Sequence, residues 1–237
     1  MAGRRGKLYR SNLEKVDRTK RYSMDEALSI LDTYTNRKFD EAVEVAIKLG
    51  VDAKQSDQQV RGAAVLPNGI GKPVRVIAVV RGDAEKEARE AGADHVGNDD
   101  LLEKIEKGWT DFDRVITTPD TLKDMTRVAK VLGPRGLMPN KKTGTVTTEI
   151  GKAVREQKLG KVSYKVEKEG IVHAPIGRKS FGVKKLKENF NALFDNILKA
   201  KPPTSKGVYI RRIAISTTMG PGLKIDIGSL EGLPKAT

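Results

Sequence analysis

Val74-Arg75-Val76-Ile77-Ala78-Val79-Val80 is an almost unbroken apolar run, and Ala84-Glu85-Lys86-Glu87-Ala88-Arg89-Glu90-Ala91, closed by Gly92, follows it after a short turn. A strand buried on both faces needs continuous apolar side chains instead of alternation, and such strands belong to parallel sheets flanked by helices. Gly92 stands where a helix C-cap favours a residue free to turn left-handed. The strand–helix unit then repeats. A short strand is expected over residues 94–96, a helix near 99–107 and a strand over 114–117. Pro119 is expected to start the next helix, running to about Leu132 before Gly133-Pro134, and a last helix covers 149–158. Right-handed crossovers assemble these pieces into a small Rossmann-like sheet.

Outside this segment the chain has a different texture. Of its 237 residues, 45 are Lys or Arg and 31 are Asp or Glu, a net charge of +14. Residues 68–159 hold 17 basic and 15 acidic residues, whereas the two flanks hold 28 and 16. The excess charge therefore sits almost wholly on the flanks, where it favours polyanionic partners without dictating a fold. A near-neutral βα domain (68–159) inserted into a loop of a basic domain made from both chain ends (1–67 and 160–237) gives this pattern.

The flanks read as a mostly antiparallel sheet with helices on it, an α+β layer. Ser23-Met24-Asp25-Glu26 is a capping box opening a helix over 25–31. Lys38-Phe39 leads into Val43, Val45, Ile47 and Leu49, alternating with Glu44 and Lys48 on the other face of a half-buried strand. Val162, Tyr164 and Val166 alternate, and a turn at Lys168-Glu169-Gly170 joins them to Ile171-Val172-His173 as an expected hairpin. Ser180 is expected to cap an amphipathic helix with the stripe Val183, Leu186, Phe190, Leu193, Phe194 and Ile197. Its other face carries Lys184, Lys185 and Lys187. Strands over 208–216 and 223–227 are joined by a Gly-Pro-Gly turn, and the tail 228–237 reads as poorly ordered.

Composition narrows the chemistry. There is no cysteine, so disulfides, Cys-based zinc sites and a catalytic thiol are excluded. The basic start lacks a following apolar stretch, so no secretory signal is expected, and the run near Val76 is too short to span a membrane. A reducing, soluble, cytoplasmic setting follows as the expectation. The first strand is followed by Arg81-Gly82-Asp83-Ala84 and not by a G-x-G-x-x-G turn. Asn68-Gly69-Ile70-Gly71-Lys72 precedes its strand, so Lys72 is not a P-loop lysine. The Gly133–Thr145 stretch is rich in Gly and Lys and could hold phosphate, yet lacks the strand-to-helix context of a nucleotide site. His95 reads as structural. Asp99-Asp100 and the Asp111/Asp113 pair fit capping or solvation. No catalytic constellation, cofactor or metal is expected, and an enzyme acting on nucleic acid is the disfavoured class.

Two places remain open on the residues alone. Ser216-Thr217-Thr218-Met219-Gly220-Pro221-Gly222 is either an ordinary hairpin turn or a surface whose hydroxyls, backbone and methionine meet ribose and phosphate. Phe39 is either core or a stacking ring, and His173 is either a surface polar group or an RNA contact.

Five motifs together carry a resemblance: Lys38-Phe39-Asp40-Glu41-Ala42-Val43-Glu44, Ser56-Asp57-Gln58-Gln59-Val60-Arg61-Gly62, Gly133-Pro134-Arg135-Gly136-Leu137-Met138-Pro139, His173-Ala174-Pro175-Ile176-Gly177 and Thr217-Thr218-Met219-Gly220. They resemble the bacterial family of ribosomal protein L-one, the first protein of the large subunit, over about residues 7–227. The resemblance implies a non-enzymatic ribosomal component with the inserted-domain architecture. It implies binding to large-subunit rRNA at the base of the mobile stalk, contact with exit-site tRNA during release of deacylated tRNA, and repression of the protein's own messenger through its leader. Off the ribosome the chain is expected to be a monomer. By position, the family's RNA contacts fall on Lys38, Phe39 and Glu44 and on Thr218, Met219 and Gly220. Thr217, Lys48, His173 and Ser180 complete the expected RNA-binding set. Ala42 and Ala46 are small where some relatives carry larger side chains.

Overall fold

The computed structural model describes residues 6–230. The chain enters through α1 (Lys7–Glu14) and α2 (Met24–Asp32). At the start of α2 the Ser23 side chain accepts the Glu26 N–H, and the Glu26 carboxylate accepts the Ser23 N–H. The reciprocal bonds satisfy two of the donors that a helix start leaves unpaired. Met24, Ala27, Leu28 and Leu31 form its buried stripe. Next, β1 (Ala42–Leu49) buries Val43, Val45, Ile47 and Leu49 and turns Glu44 outward. Then β2 (Arg61–Val65) follows.

Here the chain leaves for a second compact unit, Lys72–Lys161, and returns at Val162. The divisions fall at Gly71/Lys72 and Lys161/Val162, a few residues later than the sequence pattern suggested. The inserted unit contains, in order, β3 (Val76–Val79), α3 (Asp83–Glu90), β4 (His95–Gly97), α4 (Asp99–Glu106), β5 (Arg114–Thr117), α5 (Ala129–Leu132) and α6 (Ile150–Lys158). The sheet is parallel with order β4-β3-β5. Every residue of β3 is buried. Ile77 and Val79 pack with Leu101, Leu102 and Ile105 on one face, while Val76 and Ala78 pack with Ala88, Ile150 and Val154 on the other. That double cover is why the strand is apolar throughout.

The single helix expected after Pro119 is instead a 3-10 stretch at Thr121–Thr126 followed by the four-residue α5. Hydroxyls explain the change. Thr117 and Thr121 both donate to the Val79 carbonyl, at 2.9 and 3.0 Å, pinning this turn to the sheet end. Thr126 bonds back to the Lys123 carbonyl at 2.7 Å, and such local bonds compete with regular helix. Asp111 and Asp113 are ion-paired to Arg75, and Asp113 also to Lys72.

The return supplies β6 (Lys161–Lys165), β7 (Ile171–Arg178), α7 (Gly182–Lys199), β8 (Ile210–Thr217) and β9 (Leu223–Ile225). A four-stranded antiparallel sheet runs β7-β1-β8-β9. Helices α2 and α7 pack on one face around Phe190, Leu193 and Ile197, leaving the other face open. The expected hairpin between residues 162–166 and 171–173 shrinks to one bridge, Val166 to Val172. Instead β6 pairs with β2, and β7 extends to Arg178 along β1. Pro175 sits within β7, tolerated because β7 is an edge strand with no ladder donor needed on its outer side.

Ser180 does not cap α7. Phe181 occupies that position without a side-chain cap, and the Ser180 hydroxyl bonds to Asp40 instead. Where the tail reading begins, Ile227–Ser229 forms a 3-10 turn with Asp226 accepting the Gly228 N–H; residues 231–237 lie outside the described residues. No helix among the described residues is long and apolar enough to cross a membrane. Ser23→Ala should lower the stability of the chain-end unit by ~1 kcal/mol, read as a shift of its urea midpoint, and Ser23→Thr should restore most of it.

Candidate nucleic-acid interface

The open face of the sheet is set by strand register. Glu44, Ala46 and Lys48 of β1 stand opposite Pro175, His173 and Ile171 of β7, and opposite Ser216, Ala214 and Arg212 of β8. Lys224 of β9 joins the same face opposite Ala214. Glu44, His173, Arg212 and Lys224 are exposed, with small Ala46 and Ala214 between them. The result is a shallow polar surface with a floor of small residues and a rim of cations. Lys48 is half-buried, its ammonium donating to the Glu169 carbonyl.

At the Val43 end of β1 the register slips between Val43 and Glu44, leaving Ile176 as the extra residue on β7. Bulges of this kind re-aim the chain where they occur. Three irregular segments, around residues 36–41, 178–182 and 217–221, are tied together there. Glu41, only 2% exposed, accepts the Met219 N–H at 2.8 Å through its carboxylate, and its carbonyl accepts the Lys179 N–H at 2.9 Å. Thr218 closes on Ala42 twice: its N–H donates to the Ala42 carbonyl at 3.0 Å, and its hydroxyl accepts the Ala42 N–H at 3.0 Å. Asp40 accepts both the Ser180 hydroxyl, at 2.6 Å, and the Ser180 N–H. Lys179 reaches back to the Tyr34 carbonyl and to Asn36.

Tyr34 lies under the turn. It is buried, and its hydroxyl donates to the Pro221 carbonyl at 3.1 Å. Burial pushes the Tyr34 phenol well above its ordinary value, with the neighbouring phenols of Tyr22 and Tyr9 adding to it, so the group stays a neutral donor. Gly220 is needed here by close approach: a Cβ would collide with the Thr217 hydroxyl and come within 2.8 Å of the Tyr34 ring. The locked segments leave two large apolar side chains in solvent, Phe39 at 53% exposure and Met219 at 52%. Phe39 edges an open hollow of about 690 Å³, lined also by Asn36, Lys38, Asp40, Lys179 and Ser180.

The structure thus brings Lys38, Phe39, Ser180, Thr218, Met219 and Gly220 to one end of the sheet, with Glu44, Lys48 and His173 on its open face. It removes the core alternative for Phe39. Thr217 is placed differently, with its side chain turned inward beside Val43 and 2% exposed. That follows from strand alternation, since Ser216 takes the outward position. Sequence reading missed Asp40, Glu41, Tyr34 and Lys179, which shape the site without reaching out of it. Glu41 was detectable in principle, being a carboxylate directly before a buried strand.

The family model described as "Ribosomal protein L1p/L10e family" matches residues 31–221. The chain belongs to that family. It is 51% identical to "Large ribosomal subunit protein uL1" of Solidesulfovibrio magneticus over 96% of this chain and 97% of the relative. It is 54% identical to the protein of the same name from Bdellovibrio bacteriovorus, over 93% of this chain and 94% of that one. The family match takes in all of the interface segments and the inserted unit.

Gly220→Ala tests the packing of the turn. Overfilling the space against Tyr34 should cost about 1–3 kcal/mol of stability, measured by urea unfolding.

Proposed function

We propose that this ribosomal protein is a structural component of the large subunit that grips the rRNA of the mobile stalk through its chain-end unit. The observation that carries the reading is the pairing of exposed Phe39 and Met219 on adjoining, hydrogen-bonded segments beside a cation-rimmed sheet. The cations supply affinity by displacing counterions from phosphates, a term indifferent to sequence. Structured RNA is read by shape, by its 2′-hydroxyls and by unstacked bases. Phe39, Met219, the Thr218 carbonyl and Glu44 offer the matching groups, an apolar edge plus isolated acceptors. Thr217 contributes from below by supporting the turn.

On the same reading the protein accompanies release of deacylated tRNA from the exit site, and the same surface binds the leader of its own messenger and represses it. The family match and the names of the relatives support a non-catalytic part. Among the described residues no group of three or more His, Asp or Glu side chains is arranged to hold a metal. A single RNA surface serving two RNAs requires that they present one shape, so rRNA and messenger leader should compete.

The test is binding of the purified protein to a stalk-base rRNA fragment over a salt series, with duplex DNA as competitor. Met219→Ala should cost about 1–3 kcal/mol of binding while leaving the salt slope unchanged, because no phosphate contact is lost. Unaltered affinity in that variant would remove the turn from the interface. Equal displacement by duplex DNA would reduce the surface to a general polyanion binder.

A further inference from the structure

The near-neutral balance of the inserted unit conceals a separation of charge. Between Lys123 and Lys142 there are six basic residues and one acidic residue, while the rest of segment 68–159 holds 11 basic and 14 acidic. The lone acid, Asp124, is ion-paired to Arg81 at 3.1 Å. Elsewhere in the unit most cations are similarly engaged, as Arg75 is by Asp111, Arg89 by Glu85 and Lys158 by Asp94. Lys123, Arg127, Lys130, Arg135, Lys141 and Lys142 are all exposed, and among the described residues none has an ion pair.

Their order is regular. Thr121, Met125, Val128 and Leu132 are buried, and Lys123, Arg127 and Lys130 fall at i, i+4 and i+7 on the opposite side of the same helical turns. Arg135 lies in the turn that follows α5, and its guanidinium donates to the Thr110 hydroxyl. Thr110 follows Trp109, which is half-buried at an open hollow of about 450 Å³ also lined by His95, Lys104, Lys107 and Asp111. His95 and Trp109 meet edge to face with centroids 5.1 Å apart, and Trp109 rests on Phe112 at 5.2 Å. A row of cations without ion pairs beside an aromatic hollow is the combination by which proteins hold single strands, cations along the backbone and a ring for a base.

We propose that the inserted unit carries a second RNA-binding surface, on which Lys123, Arg127, Lys130 and Arg135 track a single-stranded backbone and the Trp109–His95 hollow takes one unpaired base. This surface is separate from the chain-end interface and does not depend on that reading.

The chain holds one tryptophan, Trp109, so tryptophan fluorescence probes this hollow. Titrating the full protein with a short oligouridine should quench Trp109, and a duplex RNA with the same number of phosphates should quench it far less. Replacing Lys123, Arg127 and Lys130 together by Ala should weaken the fluorescence-detected binding roughly tenfold or more, and lower its log–log salt slope by about 2, near 0.7 for each lost single-strand phosphate contact. All three side chains face solvent, and circular dichroism checks the fold; should the triple variant not fold, Lys130→Glu is expected to weaken the quench in the same direction. Unchanged quenching in these variants overturns the proposal, as does equal quenching by the duplex or by an acidic peptide of the same charge. Met219→Ala should leave the Trp109 titration untouched, so failure of the chain-end reading and failure of this one give different results.

Discussion

The pairing of β1 along both its edges is the constraint on which the chain-end unit rests. Ala46 faces His173 on one side and Ala214 on the other, partners more than a hundred residues away across the insertion. A central strand cannot leave its N–H and C=O groups unpaired in a core. The inserted unit must therefore leave after Gly71 and hand the chain back at Val162 in a way that lets β7 and β8 close on β1. The same closure assembles the interface, because residues 38–44, 173–180 and 216–220 become neighbours only when that register is reached. Fold and candidate site are one event here, and a slip of one residue would turn Val43, Val45 and Ile47 out and Glu44 in.

Beyond the sheet the interface is held by polar bonds and not by ladders. Buried Glu41 fixes the Met219 turn, Asp40 fixes Ser180, and Lys179 ties back to Tyr34 and Asn36. A hydrogen bond to a buried carboxylate stabilises by about 1.5–3 kcal/mol, enough to hold a loop in one conformation. Single exposed apolar residues carry little meaning on their own. Phe39 and Met219 differ because the backbones beneath them are locked, so their exposure is a fixed feature instead of a consequence of a loose loop.

Legibility in the sequence followed the range of the forces involved. The continuous run at Val76, the alternation from Val43 to Leu49, the capping box at Ser23 and the stripe from Leu186 to Ile197 are local patterns, and each element formed. Pairings decided at long range were harder to read. The adjacent segments 162–166 and 171–173 suggested a hairpin, but β2 and β1 offered longer partners. Ser180 had the chemistry of a helix cap, yet Asp40 from a distant segment took its hydroxyl. Pro119 signalled a helix, and threonine hydroxyls bonded to the β3 end made it a set of tight turns. The orientation of Phe39 and Thr217 depended on where β1 and β8 end, which residue types alone do not fix.

Carboxylates at the centre of a basic site need a physical reason. Asp40 and Glu41 are occupied by Ser180 and Met219, so they act inside the protein. Glu44 is different: it is exposed, and no ion pair among the described residues neutralises it. An ionised carboxylate on that face repels phosphate oxygens and can only accept hydrogen bonds. On the proposed reading its partners are therefore ribose 2′-hydroxyls or base amino groups, donors that duplex DNA does not present in the same places. The surrounding cations draw in any polyanion. On that reading Glu44 penalises every register that sets a phosphate against it, and so would convert attraction that is indifferent to sequence into selection for one RNA shape.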